Sequence, residues 1–262
     1  MPRILAIDDL EDERLRLYRD VRDRDLSGRE GLFMAEGQVV LERLFRSPYA
    51  VCISVLTTPE RLKNLDISAL GEDVPVYVAG QGLMDAVAGF PIHRGYLALG
   101  RYAPPQDLTA VLTRSGPVRV LALSAIANTD NMGGLMRNAA AFGIDAVLLD
   151  RHCCDPLYRK AIRVSVGGVF QVPHFRVDDL VATCRAQDLT PYALSPAGDV
   201  RLDDVRPAQR SAFLFGAEGP GLAQAVMTAC TRVRIDMHGG FDSLNVATTS
   251  GIVLYQLARR IS

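Results

Sequence analysis

Short runs of aliphatic and β-branched residues alternate along the chain with runs whose apolar positions recur every three or four residues. After Leu108 the strand-like runs fall at 118–123, 146–149, 171–175, 192–194, 212–215 and 233–237. Helix-like runs fall at 134–142, 158–166, 178–187, 222–229 and 246–260. Apolar strands separated by amphipathic helices predict a parallel sheet covered on both faces. In such sheets ligands gather beyond the carboxyl ends of the strands. Before Leu108 the elements are shorter: helices over 38–45, 59–65 and 82–87, strands over 51–56, 74–78 and 96–99. They predict a separate, small α/β unit. Asp8 with Glu11 resembles a capping box and predicts an exposed helix over 10–21, whose Arg14, Arg16, Arg19, Arg22 and Arg24 are interleaved with acids. Ala103-Pro-Pro-Gln-Asp107 reads as a linker, giving domains at 1–102 and 103–262.

Composition narrows the classes. Of 262 residues, 48% are hydrophobic and 23% charged, as in ordinary globular chains. The net charge of −1 supplies no general attraction for nucleic acid, so any such binding must come from a local basic patch. The five cysteines are an odd number without a C-x-x-C pair, and the four histidines lack metal-ligand spacing. Disulfides and a metal site are therefore not expected, and Cys153-Cys154 reads as buried small hydrophobes. With no signal-type apolar segment and no membrane-length run, a cytoplasmic location is expected.

Three loops of unusual chemistry sit at the expected strand ends. In Asn128-Thr-Asp-Asn-Met-Gly-Gly-Leu-Met-Arg137, Asn131 reads as a helix cap and Gly133-Gly134 as a place of close approach. Arg137 can grip a phosphate bidentately. A lone helical arginine is more often in a surface ion pair, but the Asn and Gly residues before it favour function. In Gly216-Ala-Glu-Gly-Pro-Gly221 three glycines surround one carboxylate, Glu218. No Gly-Lys-Ser/Thr follows and the spacing is not G-x-G-x-x-G, so neither a P-loop nor a dinucleotide fingerprint is present. A tight structural turn and a binding loop fit it about equally. In Asp242-Ser-Leu-Asn-Val246 the hydroxyl of Ser243 reads as the cap of the last helix.

In their order, Asn131-x-Gly133…Arg137, Gly216-Ala-Glu-Gly219 and Ser243-Leu-Asn-Val246 resemble the three motifs of the SpoU (TrmH) RNA methyltransferases of the SPOUT superfamily. Arg163-Val-Ser-Val-Gly-Gly168 is similar to a further family segment, and Phe33-Met-Ala-Glu-Gly37 to part of an L30e-like domain. The resemblance implies a small L30e-like α/β domain followed by a trefoil-knotted SPOUT domain with a parallel sheet. It implies a homodimer that uses S-adenosylmethionine to methylate RNA, usually a ribose 2′-hydroxyl in rRNA or tRNA. By similarity the catalytic group is Asn131, Arg137, Glu218, Ser243 and Asn245. Cofactor contacts would come from Leu194, Ser195, Gly216, Ala217, Glu218, Gly219, Ile235, Met237 and Leu244. Asp236 departs from the family pattern, which commonly has proline before Met237, and Ala247 departs from a common serine. The alternative is a non-catalytic RNA-binding protein on the same fold.

Overall fold

The computed structural model describes residues 2–19, 31–89, 95–239 and 242–258. In chain order the elements are β1 (Arg3–Ala6), β2 (Leu32–Glu36), α1 (Gln38–Phe45), β3 (Ala50–Thr57), α2 (Pro59–Leu62), β4 (Pro75–Val78), α3 (Gln81–Ala88), β5 (Tyr96–Tyr102), α4 (Leu108–Leu112), β6 (Val118–Leu123), α5 (Thr129–Ala141), β7 (Ala146–Leu149), α6 (Arg159–Val164), β8 (His174–Arg176), α7 (Leu180–Ala186), β9 (Thr190–Leu194), β10 (Val200–Arg201), β11 (Arg210–Phe215), α8 (Gln224–Thr228), β12 (Thr231–Arg234) and α9 (Val246–Ala258). They form two units. One comprises Met1–Pro104 with Leu157–Gln171, the other Pro105–Pro156 with Val172–Ser262.

The first unit is built on a five-stranded sheet of order β1-β4-β3-β5-β2. The pairs β1·β4 and β4·β3 are parallel, and β5 runs antiparallel to β3 and β2. Ile7, Leu15, Tyr18, Leu56 and Met84 fill one of its cores. The Phe33 ring occupies the space beside Gly100, where a Cβ would come within 2.4 Å of it. Phe33 also stacks on Phe170, centroids 5.0 Å apart, and Ser47 donates to the Phe170 carbonyl at 2.7 Å. Leu157–Gln171, read from the sequence as part of the C-terminal domain, therefore belongs to this unit. The helix expected over 10–21 is instead a short 3-10 turn, Glu13–Leu15. The Asp9 and Asp12 carboxylates take the backbone N–H groups two residues on, which competes with helix propagation. Residues 20 and 21 of that expected helix, with Arg22 and Arg24, lie outside the described residues, as does His93.

The second unit is built on a seven-stranded sheet of order β10-β12-β9-β11-β6-β7-β8, with every pair parallel. β6, β7 and β11 are buried almost throughout, as strands covered on both faces must be. Two boundaries differ from the sequence reading in ways that matter. The last strand ends at Arg234, so Ile235, Asp236 and Met237 leave the sheet. The helix expected from Gly134 starts at Thr129, because Asn128, not Asn131, caps it by accepting from the Asp130 and Asn131 N–H groups. β1, β2 and the two-residue β10 were not expected as strands.

Candidate active site

The carboxyl ends of β9, β11 and β12 open onto the start of α9, and a cavity of about 460 Å³ lies among them. After β11 the chain turns tightly. Gly221 N–H donates to the Ala217 carbonyl at 3.0 Å, and Gly219 and Gly221 adopt φ of +85° and +66°. A Cβ on Gly216 would lie 2.3 Å from the Gly221 carbonyl carbon, so the loop closes only on glycine. All nine residues named as cofactor contacts line this cavity: Leu194, Ser195, Gly216, Ala217, Glu218, Gly219, Ile235, Met237 and Leu244. Pro196, Phe215, Gly221, Val233, Val246 and Thr249 line it too and were not singled out as contacts. Their signal was position alone: Val246 closes the third motif, and the others lie within three residues of a motif or contact residue.

The cap of α9 is Asn245 rather than Ser243. Its Oδ1 accepts from the Ala247 and Thr248 N–H groups at 2.9 and 3.2 Å. Its amide donates to Asn131 Oδ1 at 2.8 Å and to Glu218 Oε1 at 3.0 Å. One asparagine thus fixes the helix start and joins all three motif loops. Ser243 lines the cavity beside it. Asn131 is buried one step behind Asn245. Arg137 does not line the cavity. It stands exposed on α5 and makes no hydrogen bond or ion pair among the described residues.

α5 and α9 pack closely enough that a Cβ on Gly134 would lie 2.6 Å from Ala247 Cβ. Asn138, unremarked in the sequence, donates to the Ala247 carbonyl at 2.7 Å and to Ser250 Oγ at 2.8 Å. Its sequence signal was its place seven residues after Asn131, on the same helix face.

A model of the SpoU rRNA methylase family matches residues 119–255. An uncharacterized tRNA/rRNA methyltransferase of Mycobacterium bovis is 36% identical over 96% of this chain and 90% of that protein. The chain belongs to the SpoU rRNA methylase family. Its fold matches an AdoMet-bound rRNA methyltransferase from Sinorhizobium meliloti with a TM-score of 0.84, at 20% identity and 99% coverage of both chains. It also matches an RNA 2′-O ribose methyltransferase with a TM-score of 0.74, at 23% identity, covering 98% of this chain and 99% of that one.

In this SpoU-family chain a second polar knot supports the loop before α5. Asp150 accepts from Ser124 Oγ at 2.8 Å and from the N–H groups of Ala125, His152 and Cys153 at 2.9–3.1 Å. It holds Ala125 at φ +55°, a conformation that costs an L-residue about 1–2 kcal/mol. Burial pushes the Asp150 carboxyl up, but the hydrogen bonds from Ala125, Ser124, His152 and Cys153 outweigh it, and its pKa lies below the ordinary 3.8. A depressed folded pKa means that this contribution to stability is present above the unfolded value. It fades as pH falls through the folded one. Asp150→Asn is expected to cost about 1–3 kcal/mol at neutral pH. It should also flatten the acid limb of stability against pH, read by denaturant melts from pH 7 downwards.

Burial pushes the Cys153 and Cys154 thiols up to about 12 and about 11, leaving them poor nucleophiles at neutral pH. Among the described residues no cluster of three or more His, Cys, Asp or Glu is arranged for a metal. No helix there is long and apolar enough to cross a membrane.

Proposed function

We propose that the protein transfers a methyl group from S-adenosylmethionine to a ribose 2′-hydroxyl of rRNA or tRNA, acting as a homodimer. The observation that carries the reading is the Asn131–Asn245–Glu218 network at the edge of the cavity, joining three motif loops of a SpoU-family chain. The cavity lies within the range of about 300–1,000 Å³ usual for small-molecule sites. Leu194, Ile235, Met237 and Leu244 offer apolar walls, while the Gly216 turn brings backbone close to whatever binds. These residues fit S-adenosylmethionine, which supplies, when bound, an electrophilic methyl group on a sulfonium.

The protein's task is then to present a weak nucleophile. A sugar hydroxyl needs alignment and a place for its proton. Ser243, on the cavity wall, holds the ribose by a hydrogen bond, and Asn245, whose own polar atoms are all engaged, fixes Asn131 and Glu218 beside it. Glu218, fixed by the Asn245 amide, shapes the glycine loop and faces the same opening. Arg137 keeps its proton and grips an RNA phosphate. The first unit serves as the L30e-like module that contacts RNA. Exposed Ile252 and Tyr255 on α9 support a second copy covering this face. The reading includes the trefoil knot that the family resemblance implies.

Mass spectrometry of rRNA and tRNA from a deletion strain tests the activity. One 2′-O-methyl nucleotide is expected to disappear and to return with the wild-type gene but not with Arg137→Ala. Loss of a base methyl instead, or of no methyl at all, overturns the ribose assignment.

A further inference from the structure

Two stretches wall the far side of the cavity. Leu194, Ser195 and Pro196 end and follow β9, and Val233, Ile235 and Met237 end and follow β12. Between the two cavity-lining residues Ile235 and Met237 stands Asp236. Its carboxylate meets Arg201 Nε at 2.7 Å and Arg234 Nε at 3.0 Å. Arg234 also donates to the carbonyls of Gly198 and Asp199, at 3.0 and 2.9 Å. Gly198 is pressed so closely on β12 that a Cβ there would lie 2.4 Å from the Val233 carbonyl carbon. The turn from Ser195 to Arg201 and the segment from Arg234 to Met237 are thus fastened to each other from outside the cavity. A second pair, Arg232 Nε to Asp199 Oδ2 at 2.7 Å, repeats the fastening one step back along β12.

We propose that Asp236 is a positioning residue. Its ion pair with Arg201 ties one cavity wall to the other, its pair with Arg234 on its own segment holds that guanidinium on the Gly198 and Asp199 carbonyls, and together they form a clasp that sets how tightly S-adenosylmethionine is held. The proposal rests on reading the cavity as the cofactor site. Asp236 is 48% exposed and Arg201 50% exposed, so dissolved salt reaches the clasp. Exposed ion pairs weaken as ionic strength rises, because counterions screen them within about 10 Å at 0.1 M and about 3 Å at 1 M. The clasp touches the walls and not the reacting hydroxyl. Loosening it therefore weakens binding of the cofactor, with the loss falling on its KM rather than on kcat. Nothing in the buried core depends on it, which leaves the melting temperature as a control.

The test is calorimetric titration of full-length wild type, Asp236→Asn, Asp236→Glu, Arg201→Gln and the Arg201→Gln/Asp236→Asn double variant with S-adenosylmethionine, at low and high salt. At low salt Asp236→Asn is expected to raise Kd about fivefold, the scale of two exposed pairs acting together. Wild-type affinity should fall towards the Asp236→Asn value as salt rises, while that variant changes little. Asp236→Glu keeps the charge and should keep most of the salt dependence. The double variant should be no weaker than the weaker single, because each change opens the same clasp. Asp236→Asn binding as tightly and as salt-dependently as wild type, with an unchanged melting temperature, overturns the clasp, as do additive losses in the double. Wild type that binds no S-adenosylmethionine at any salt overturns the cavity assignment, and the clasp falls with it. The two failures are thus told apart by the wild-type titration alone.

Discussion

Gly216→Ala is expected to weaken binding of S-adenosylmethionine sharply while leaving the sheet folded. The added methyl has nowhere to go, since its position lies 2.3–2.6 Å from the Gly221 carbonyl and the Leu222 nitrogen. These are backbone atoms, so no rotamer change relieves the clash. The turn must open, and with it the wall formed by Gly216 to Gly221. Overpacking of this kind costs about 1–3 kcal/mol. If all of it appears as lost binding, affinity falls about fivefold to 150-fold. Gly219→Ala is the matched control. A Cβ there meets nothing within 4 Å, and only its φ of +85° penalises a side chain. It should weaken binding less than Gly216→Ala. Titration calorimetry of the two variants checks the order, and binding by Gly216→Ala as strong as wild type would remove the glycine turn from the site.

Asn245→Asp separates two roles that one side chain plays. Aspartate caps a helix as well as asparagine does, so the Ala247 and Thr248 N–H groups stay satisfied and the melting temperature should hold. The amide donor is lost, however. A second carboxylate then stands where the Asn245 amide now lies 3.0 Å from Glu218, and it also faces the Asn131 oxygen. The three loops repel instead of joining. A misplacement of about 1 Å at a reacting centre can cost on the order of a hundredfold in rate, and a loss of that size in kcat/KM is expected. Asn245→Ala should lose the activity and, in addition, about 1 kcal/mol of stability with the cap. Methyl transfer to an RNA substrate, measured beside thermal melts, gives both readings. An Asn245→Asp enzyme with wild-type turnover would show that the junction of the loops is only structural.

The strands were the most legible part of the chain. β6, β7 and β11 are buried on both faces, so burial shows directly as nearly unbroken apolar runs. Caps were legible as clusters but not as individual residues. Asn128, Thr129, Asp130 and Asn131 can each cap, and so can Asp242, Ser243 and Asn245. The choice between them is made by tertiary packing. Asn245 wins because from that position it reaches both its own helix start and Asn131. Ile235 to Met237 read as strand because they are apolar at alternate positions, but they line a cavity instead of pairing with a neighbour. The place of Arg137 follows from helix geometry: six residues beyond Asn131 turn the side chain about 120° away from it. The partner of residues 157–171 was not legible at all. Their helix-like pattern says that an apolar face is covered, but the covering strand, β2, lies more than a hundred residues earlier.

That excursion has a consequence for how such a protein can be rearranged. Phe170 stacks on Phe33, the Val166 carbonyl accepts from Arg43 at 2.5 Å, and the Phe170 carbonyl accepts from Ser47. A gene cut at the Pro104–Pro105 joint would yield two fragments, the second of which holds part of the first unit. The first would lack the segment that completes its own interior, and the second would carry that segment with nothing to lay it on. The two units are thus interleaved along the sequence, so a single cut at that joint does not separate them.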